Sequence, residues 1–423
     1  MAATDIHRAI DAVWRIEQAK LIAGLARIVR DVGLAEELAQ DALVVALEKW
    51  PESGIPRNPG AWLMAAARNR AIDQLRRKKV GERKYAEFRH DIESDQPDIV
   101  AEVDQALDDD IGDDLLSLIF TACHPILPTD ARLALTLRLV GGLTTGEIAR
   151  AFLAAEPTIA QRIVRAKRTL SEAEVPFEVP RGADRAERLS SVLEVIYLVF
   201  NEGHAATAGD DWVRPQLVEE ALRLGRILAG LAPDEPEVHG LVALMEIQAS
   251  RIKARVAPDG SPILLLDQNR ARWDRLLIGR GLAALARAEA CGTAPGSYQL
   301  QAAIAACHAR ARTPEETDWQ RISALYAALA AINPSPVIEL NRAVAVGMAD
   351  GPEAALAIVE GLNGDPALAR YHLLPSVRAD LLARLGRYDE ARAEAERAAA
   401  MTRNGRERAL LLDRAARWRD AAG

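Results

Sequence analysis

The chain has 423 residues, 49% of them apolar and 4% aromatic, with 53 Lys and Arg against 61 Asp and Glu for a net charge of −8. That length allows about two to four domains with buried cores, and the composition excludes a disordered chain. Cys123, Cys291 and Cys307 lack paired spacing, no run reaches the roughly 18–20 apolar residues of a membrane helix, and the N-terminus has no apolar export core, so a reduced, cytoplasmic protein without membrane contact is expected.

A charge of −8 argues against nucleic acid only if it is evenly spread. It is not. Residues 1–89 carry 16 basic and 12 acidic side chains, residues 90–114 carry 11 acids and no Lys or Arg, and residues 115–170 carry seven basic against three acidic. Two basic blocks therefore flank an acidic strap, and the remaining 253 residues are mildly acidic.

Ala, Leu, Arg and Glu dominate, and apolar residues recur at three- and four-residue spacing, which predicts an all-α fold. In the first block, Leu34, Leu38, Ala42 and Val45 form one stripe, opened by Asp31 and closed before Pro51. Leu63, Ala67, Ala71 and Leu75 form another, started near Pro59. Trp62, Asn69, Asp73 and Arg76 share the opposite side of that second helix. An aromatic plane beside amide and guanidinium groups suits unstacked bases, and the run Arg76-Arg77-Lys78-Lys79 suits phosphates. A core Trp with a solvated basic helix end fits the same residues.

In the second block, GLTTGEIARAF (142–152), LAAE (153–156) and PTIAQRIVRAKRTL (157–170) have the layout of a helix–turn–helix. Ile159, Ile163, Ala166 and Leu170 fall on one face of the last helix, and Thr158, Gln161, Arg162, Arg165 and Arg168 on the other. A buried stripe fixes the angle of a major-groove helix while Gln and Arg read adenine and guanine edges. The alternative is a helical hairpin with a solvated Arg-rich face.

Beyond residue 180, helix pairs alternate with Gly- and Pro-containing turns. Segment 337–362 resembles 377–400 at an offset of 36, pairing Ala343 with Ala379 and Ala355 with Ala391. This spacing predicts tetratricopeptide-like pairs stacked into a solenoid. Trp212, Trp273 and Trp319 are expected as core anchors between them. Ile263–Leu266, after Pro258-Asp259-Gly260, is either a short hairpin arm or a loop edge.

No enzyme is expected. The chain has no Walker motif and no Gly-x-Ser-x-Gly. Cys123-His124 and Cys307-His308 lack zinc-site spacing, so neither metal nor cofactor is expected. Asn201 to His204, after an apolar run, fit a buried hydrogen-bonded helix end or a polar contact site.

Taken together, AEELAQDALVVALEKW (35–50) with NPGAWLMAAARNRAIDQLRRKK (58–79) resembles the second conserved region of a bacterial sigma-70-family factor. Residues 141–170 resemble the fourth. The acidic strap in place of a middle domain resembles the extracytoplasmic-function (ECF) group, and YLVFNEGH (197–204), DQNRARWDRLLI (267–278) and YQLQAAIAACHAR (298–310) resemble its members with a long helical extension.

The resemblance implies region 2 over 1–89, an acidic linker over 90–114, region 4 over 115–175 and a regulatory extension over 180–423. Leu38, Asp41 and Val45 would dock on the β′ clamp helices of core RNA polymerase, with region 4 meeting the β flap. Residues 51–58 would capture a flipped −10 base beside Trp62, Asn69, Asp73, Arg76 and Arg77. Thr158, Gln161, Arg162, Arg165 and Arg168 would read the −35 element. The strap would enter the polymerase's basic channel, and a regulatory protein or ligand would act on the extension. Leu153, Pro157 and Ala160 depart from the family pattern, which bears on the −35 preference. The rival reading is a helix–turn–helix regulator with a solenoid sensor that does not join polymerase.

Overall fold

The computed structural model describes residues 3–86, 111–152, 154–204, 213–257, 261–402 and 404–422, with side chains at 3–5, 73–86, 111–112, 183 and 422 left outside the description. Among the described residues it is all-α, as expected, with no strands and 18 α-helices. The chain divides into two compact units, Met1–Val195 and Ile196–Gly423.

In the first unit, α1 (Ala3–Val29), α2 (Val32–Ser53) and α3 (Pro59–Ala86) pack pairwise against one another. Asp31 caps α2 by accepting from the backbone N–H groups of Gly33 and Leu34, at 2.7 and 2.9 Å, satisfying two donors that a helix start leaves unpaired. At the other end Gly54 adopts φ +80, where a side chain would be strained, and donates to the Trp50 carbonyl. The Asn58 side chain caps α3. The middle of the first predicted stripe and the described part of the second point inward, while Leu34 and Val45 at the ends of the first are half-buried. Leu38, Ala42, Leu63, Ala67 and Ala71 are all within 1% of full burial; Leu75 lies outside the described side chains.

Next come α4 (Ile111–Ala122), α5 (Thr129–Leu139), α6 (Thr145–Ala151) and α7 (Glu156–Glu172). A capping box opens α6: Thr144 Oγ1 accepts from the Glu147 N–H, and the Glu147 carboxylate accepts from the Thr144 N–H. The last helix begins at Glu156, one residue before the predicted start, because its missing bonds are no cost to Pro157 in the first turn.

Helix α8 (Gly182–His204) carries the boundary between the units. The second unit continues with α9 (Pro215–Leu231), α10 (Pro236–Ala249), α11 (Arg275–Ala290), α12 (Ser297–Arg310), α13 (Trp319–Ile332), α14 (Pro336–Ala349), α15 (Pro352–Gly361), α16 (Leu373–Arg384), α17 (Tyr388–Met401) and α18 (Gly405–Ala422). From α12 onward each helix packs on its neighbour in sequence, the pattern of stacked helix pairs. Ala343, Ala355, Ala379 and Ala391, paired by the offset of 36, are at most 1% exposed. At Gly347 an added Cβ would sit 2.9 Å from the Ala355 methyl, so these helices touch through small residues.

Of the expected anchors, Trp273 is 3% exposed and Trp319 packs on the α12–α13 core; Trp212 lies outside the described residues. On either side of residues 258–260, which lie outside the described residues, Ile263 donates to the Arg255 carbonyl and one isolated antiparallel bridge joins Val256 and Pro262. Leu265–Asp267 then winds into a 3-10 turn rather than extending the arm.

Candidate nucleic-acid interface

Helix α7 separates its faces as its sequence pattern predicts. Ile159, Ile163, Ala166 and Leu170 are at most 6% exposed, and burying such side chains stabilises the domain by about 1.5–3 kcal/mol for each large one. Thr158, Gln161, Arg165 and Arg168 are exposed on the other face, with Arg162 half-buried beside them. The guanidinium of Arg162 lies 3.3 Å from Asp130 and that of Arg168 donates to Glu172 at 2.6 Å. These surface pairs hold the side chains only weakly and yield to a phosphate. Val164, 63% exposed on the same helix, offers a methyl-bearing contact that the charge pattern did not single out.

Helices α2 and α3 present a second face. The Trp62 ring is half-buried and meets the Trp50 ring edge-on, with centroids 5.2 Å apart at 64°. Trp50 itself is only 1% exposed, so it is a fixed support for Trp62. Asn69 is exposed about two turns further along α3. The side chains of Asp73, Arg76, Arg77, Lys78 and Lys79 lie outside the described residues, as do residues 90–110 of the acidic strap (90–114).

On α2 the three residues expected at a docking surface separate. Asp41 is exposed and pairs with Arg70 of α3 at 2.8 Å. Val45 is half-buried. Leu38 is 1% exposed and belongs to the core, because it falls on the stripe facing α1 and α3; it positions the helix rather than touching a partner. The outward side of α2 carries Glu37, Val44 and Glu48 along with Asp41.

The two faces are joined by contacts that neither block reveals alone. Glu36 of α2, 3% exposed, accepts from Arg138 Nε of α5 at 2.7 Å and pairs with the Lys167 ammonium of α7. Ser171 of α7 donates to Asp31 at 2.9 Å, Gln18 of α1 donates to the Arg138 carbonyl at 2.9 Å, and Arg15 of α1 reaches Glu147 of α6 at 3.0 Å. Glu36 occupies a buried position among Val32, Ala35 and Ala39. An acid on that inward face is the one sequence signal that pointed to a packed polar junction.

Comparison with known proteins adds the following. A family model described as Sigma-70 region 2 matches residues 15–80, one described as Sigma-70, region 4 matches 117–170, and one for a family of unknown function (DUF6596) matches 188–289. An uncharacterized protein of Rhizobium meliloti is 45% identical over 403 residues, covering 95% of this chain and 94% of its own. The ECF RNA polymerase sigma factor SigK of Mycobacterium ulcerans is 31% identical over 153 residues, which is 34% of this chain and 75% of that protein. SigK of Mycobacterium tuberculosis is likewise 31% identical, over 74% of its length.

Proposed function

The chain belongs to the extracytoplasmic-function group of the sigma-70 family and is an alternative RNA polymerase sigma factor, and we propose that α7 reads its −35 element while α2 and α3 serve polymerase docking and the −10 element. The observation that carries this reading is the divided face of α7, apolar residues inward and Thr158, Gln161, Arg162, Arg165 and Arg168 outward. The exposed side of α2 around Asp41, set by Leu38 and flanked by Val45, would dock on the β′ clamp helices, and region 4 would meet the β flap. Because α2 runs through Pro51 to Ser53 rather than closing before Pro51, the expected 51–58 segment is a loop only over 54–58, which would receive a flipped base next to Trp62 and Asn69, with Asp73, Arg76 and Arg77 continuing the face. The chain itself would make or break no bond, and it would act in the cytoplasm, where polymerase meets promoters.

The closed junction at Glu36 suits a resting form. Elements about 25 base pairs apart lie about 85 Å apart along B-DNA, whereas a compact unit of this length, Met1–Val195, has a radius of gyration of about 16 Å. Regions 2 and 4 must therefore part when both elements are read. The acidic linker expected over 90–114, of which 111–114 already belong to α4, would be the tether that permits it, and the extension over 180–423 would bias the two forms.

The test is reconstitution with core polymerase on the promoter upstream of the gene. A specific run-off transcript is expected. Absence of both core binding and initiation would overturn the reading, and DNA binding without core binding would favour a regulator that does not join polymerase.

A further inference from the structure

Helices α8, α10, α12, α13 and α14 of the second unit line a cavity of about 460 Å³, a size that suits a small organic molecule. Phe200, Leu244 and Ile304 make part of the wall apolar, and Gln248, Gln301 and Asn341 supply amide groups. No carboxylate is among its described lining residues.

Its charge comes from Arg251, which is 9% exposed. The guanidinium stands over the Trp273 ring and donates to the Gln248 side-chain carbonyl. Among the described residues no carboxylate lies within ion-pairing distance of it. Nearby Arg270, 6% exposed, donates to the carbonyls of His308 and Ala311, both at 2.8 Å, and to the Thr317 hydroxyl at 3.1 Å, all neutral acceptors. An interior cation costs several kcal/mol unless a counter-charge meets it.

The imidazoles of His204 and His308 stand in the same wall, with the Gln248 backbone against His204. Burial and the guanidinium groups of Arg255 and Arg251 hold the His204 imidazole well below 6.5. Burial with Arg255 and Arg270 alongside pushes Arg251 down to about 9, which leaves it a cation at neutral pH.

We propose that this cavity binds a small organic anion, its carboxylate or phosphate seated on Arg251, its polar groups beside Gln301, Asn341 and His308, and its apolar body against Phe200 and Leu244. One occupant then supplies the missing counter-charge. The extension thereby gains a means of sensing a metabolite that no contact with DNA or polymerase requires.

The experiment titrates the full-length chain with benzoate, hexanoate and phenyl phosphate by calorimetry and thermal shift. Acetate and inorganic phosphate serve as bare anions, and a short peptide with a free C-terminal carboxylate as a further probe. At least one organic anion is expected to bind, more tightly than either bare anion. Arg251→Met is expected to weaken that binding about thirtyfold or more, with the unliganded chain as stable as before or more so, since an unmatched interior charge is gone. Should Arg251→Met fail to fold, His308→Gln carries the test and is expected to weaken the same anion. Binding by none of the three organic anions, binding by the peptide alone, or undiminished binding by the folded variant would overturn the proposal. The readout involves no polymerase, so its failure leaves the sigma-factor reading intact.

Discussion

Buried Glu36 on α2 and half-buried Arg138 on α5 form an ion pair, Oε1 to Nε at 2.7 Å, with the half-buried Lys167 ammonium of α7 against the second carboxylate oxygen. One acid thus ties the helix of the docking surface to two helices of the DNA-reading module. Geometry of this kind is worth little over an apolar contact when whole, but breaking it leaves charge stranded in the interior.

Glu36→Gln is therefore expected to destabilise the junction by about 1.5–3 kcal/mol. Amide hydrogen exchange on the full chain should speed up in α2 and α7 together. If promoter binding separates these helices as proposed, the same substitution should strengthen promoter binding by the holoenzyme. Exchange unchanged in both helices would show that the pair does not hold the modules together.

On α7, Arg165→Ala should cost about 1–3 kcal/mol of promoter binding and relax selectivity at one base pair of the −35 element. Arg168→Ala should weaken binding to all sequences alike and lower the salt slope by about 1. Holoenzyme titrations on wild-type and scrambled −35 promoters at several salt concentrations separate the two. Equal losses on the scrambled promoter for Arg165→Ala would assign that side chain to phosphate contact.

Trp62→Ala removes a stacking plane worth about 1–3 kcal/mol per base along with an edge-on contact to Trp50 worth about 1 kcal/mol. Permanganate reactivity of −10 thymines should fall sharply, while −35 binding is retained. Trp62→Tyr should recover much of the opening. Full opening in Trp62→Ala would move the base-capture role elsewhere.

The divided face of α7 was legible because period 3.6 sorts apolar from polar residues without knowing what lies opposite. The buried Ala343, Ala355, Ala379 and Ala391 were legible for a related reason, since an internal repeat carries its own packing rule. Leu38 was less so: a stripe residue on a helix that docks elsewhere reads the same whether it faces its own core or a partner. The Glu36–Arg138 pair spans a sequence separation of 102, beyond any local periodicity. The cavity around Arg251 depends on five helices converging, and its motif residues, Asn201 to His204, read as a buried helix end or a polar contact site with nothing local to decide between them. Within that motif Asn201 is exposed, Glu202 pairs with Arg214 and His204 is buried.

The second unit should be sensitive to acid. Burial, then the guanidinium groups of Arg251 and Arg270, push His308 down to about 4 from an ordinary 6.5, and the Trp319 ring stands edge-on beside it. Burial and then Arg188 push His124 of the first unit down to about 4 as well. With folded values below the unfolded one, the unfolded chain binds more protons in between. The stability these imidazoles contribute is full above 6.5 and is lost as pH falls toward 4. Thermal midpoints should fall over that window, and His308→Gln should flatten the fall. A profile unaffected by His308→Gln would place the acid sensitivity in other groups.

The central claim is that regions 2 and 4 are held together in the free chain and separate on the promoter. Dyes on Ala12→Cys and Ala173→Cys, both exposed alanines outside the proposed contact faces, report this by energy transfer. Cys291→Ser removes the accessible native thiol, while burial pushes the Cys123 thiol up to about 12 and raises Cys307, keeping both unlabelled. High transfer in the free chain and a clear drop in the transcriptionally active promoter complex are predicted. Transfer equally high in that active complex would contradict the account.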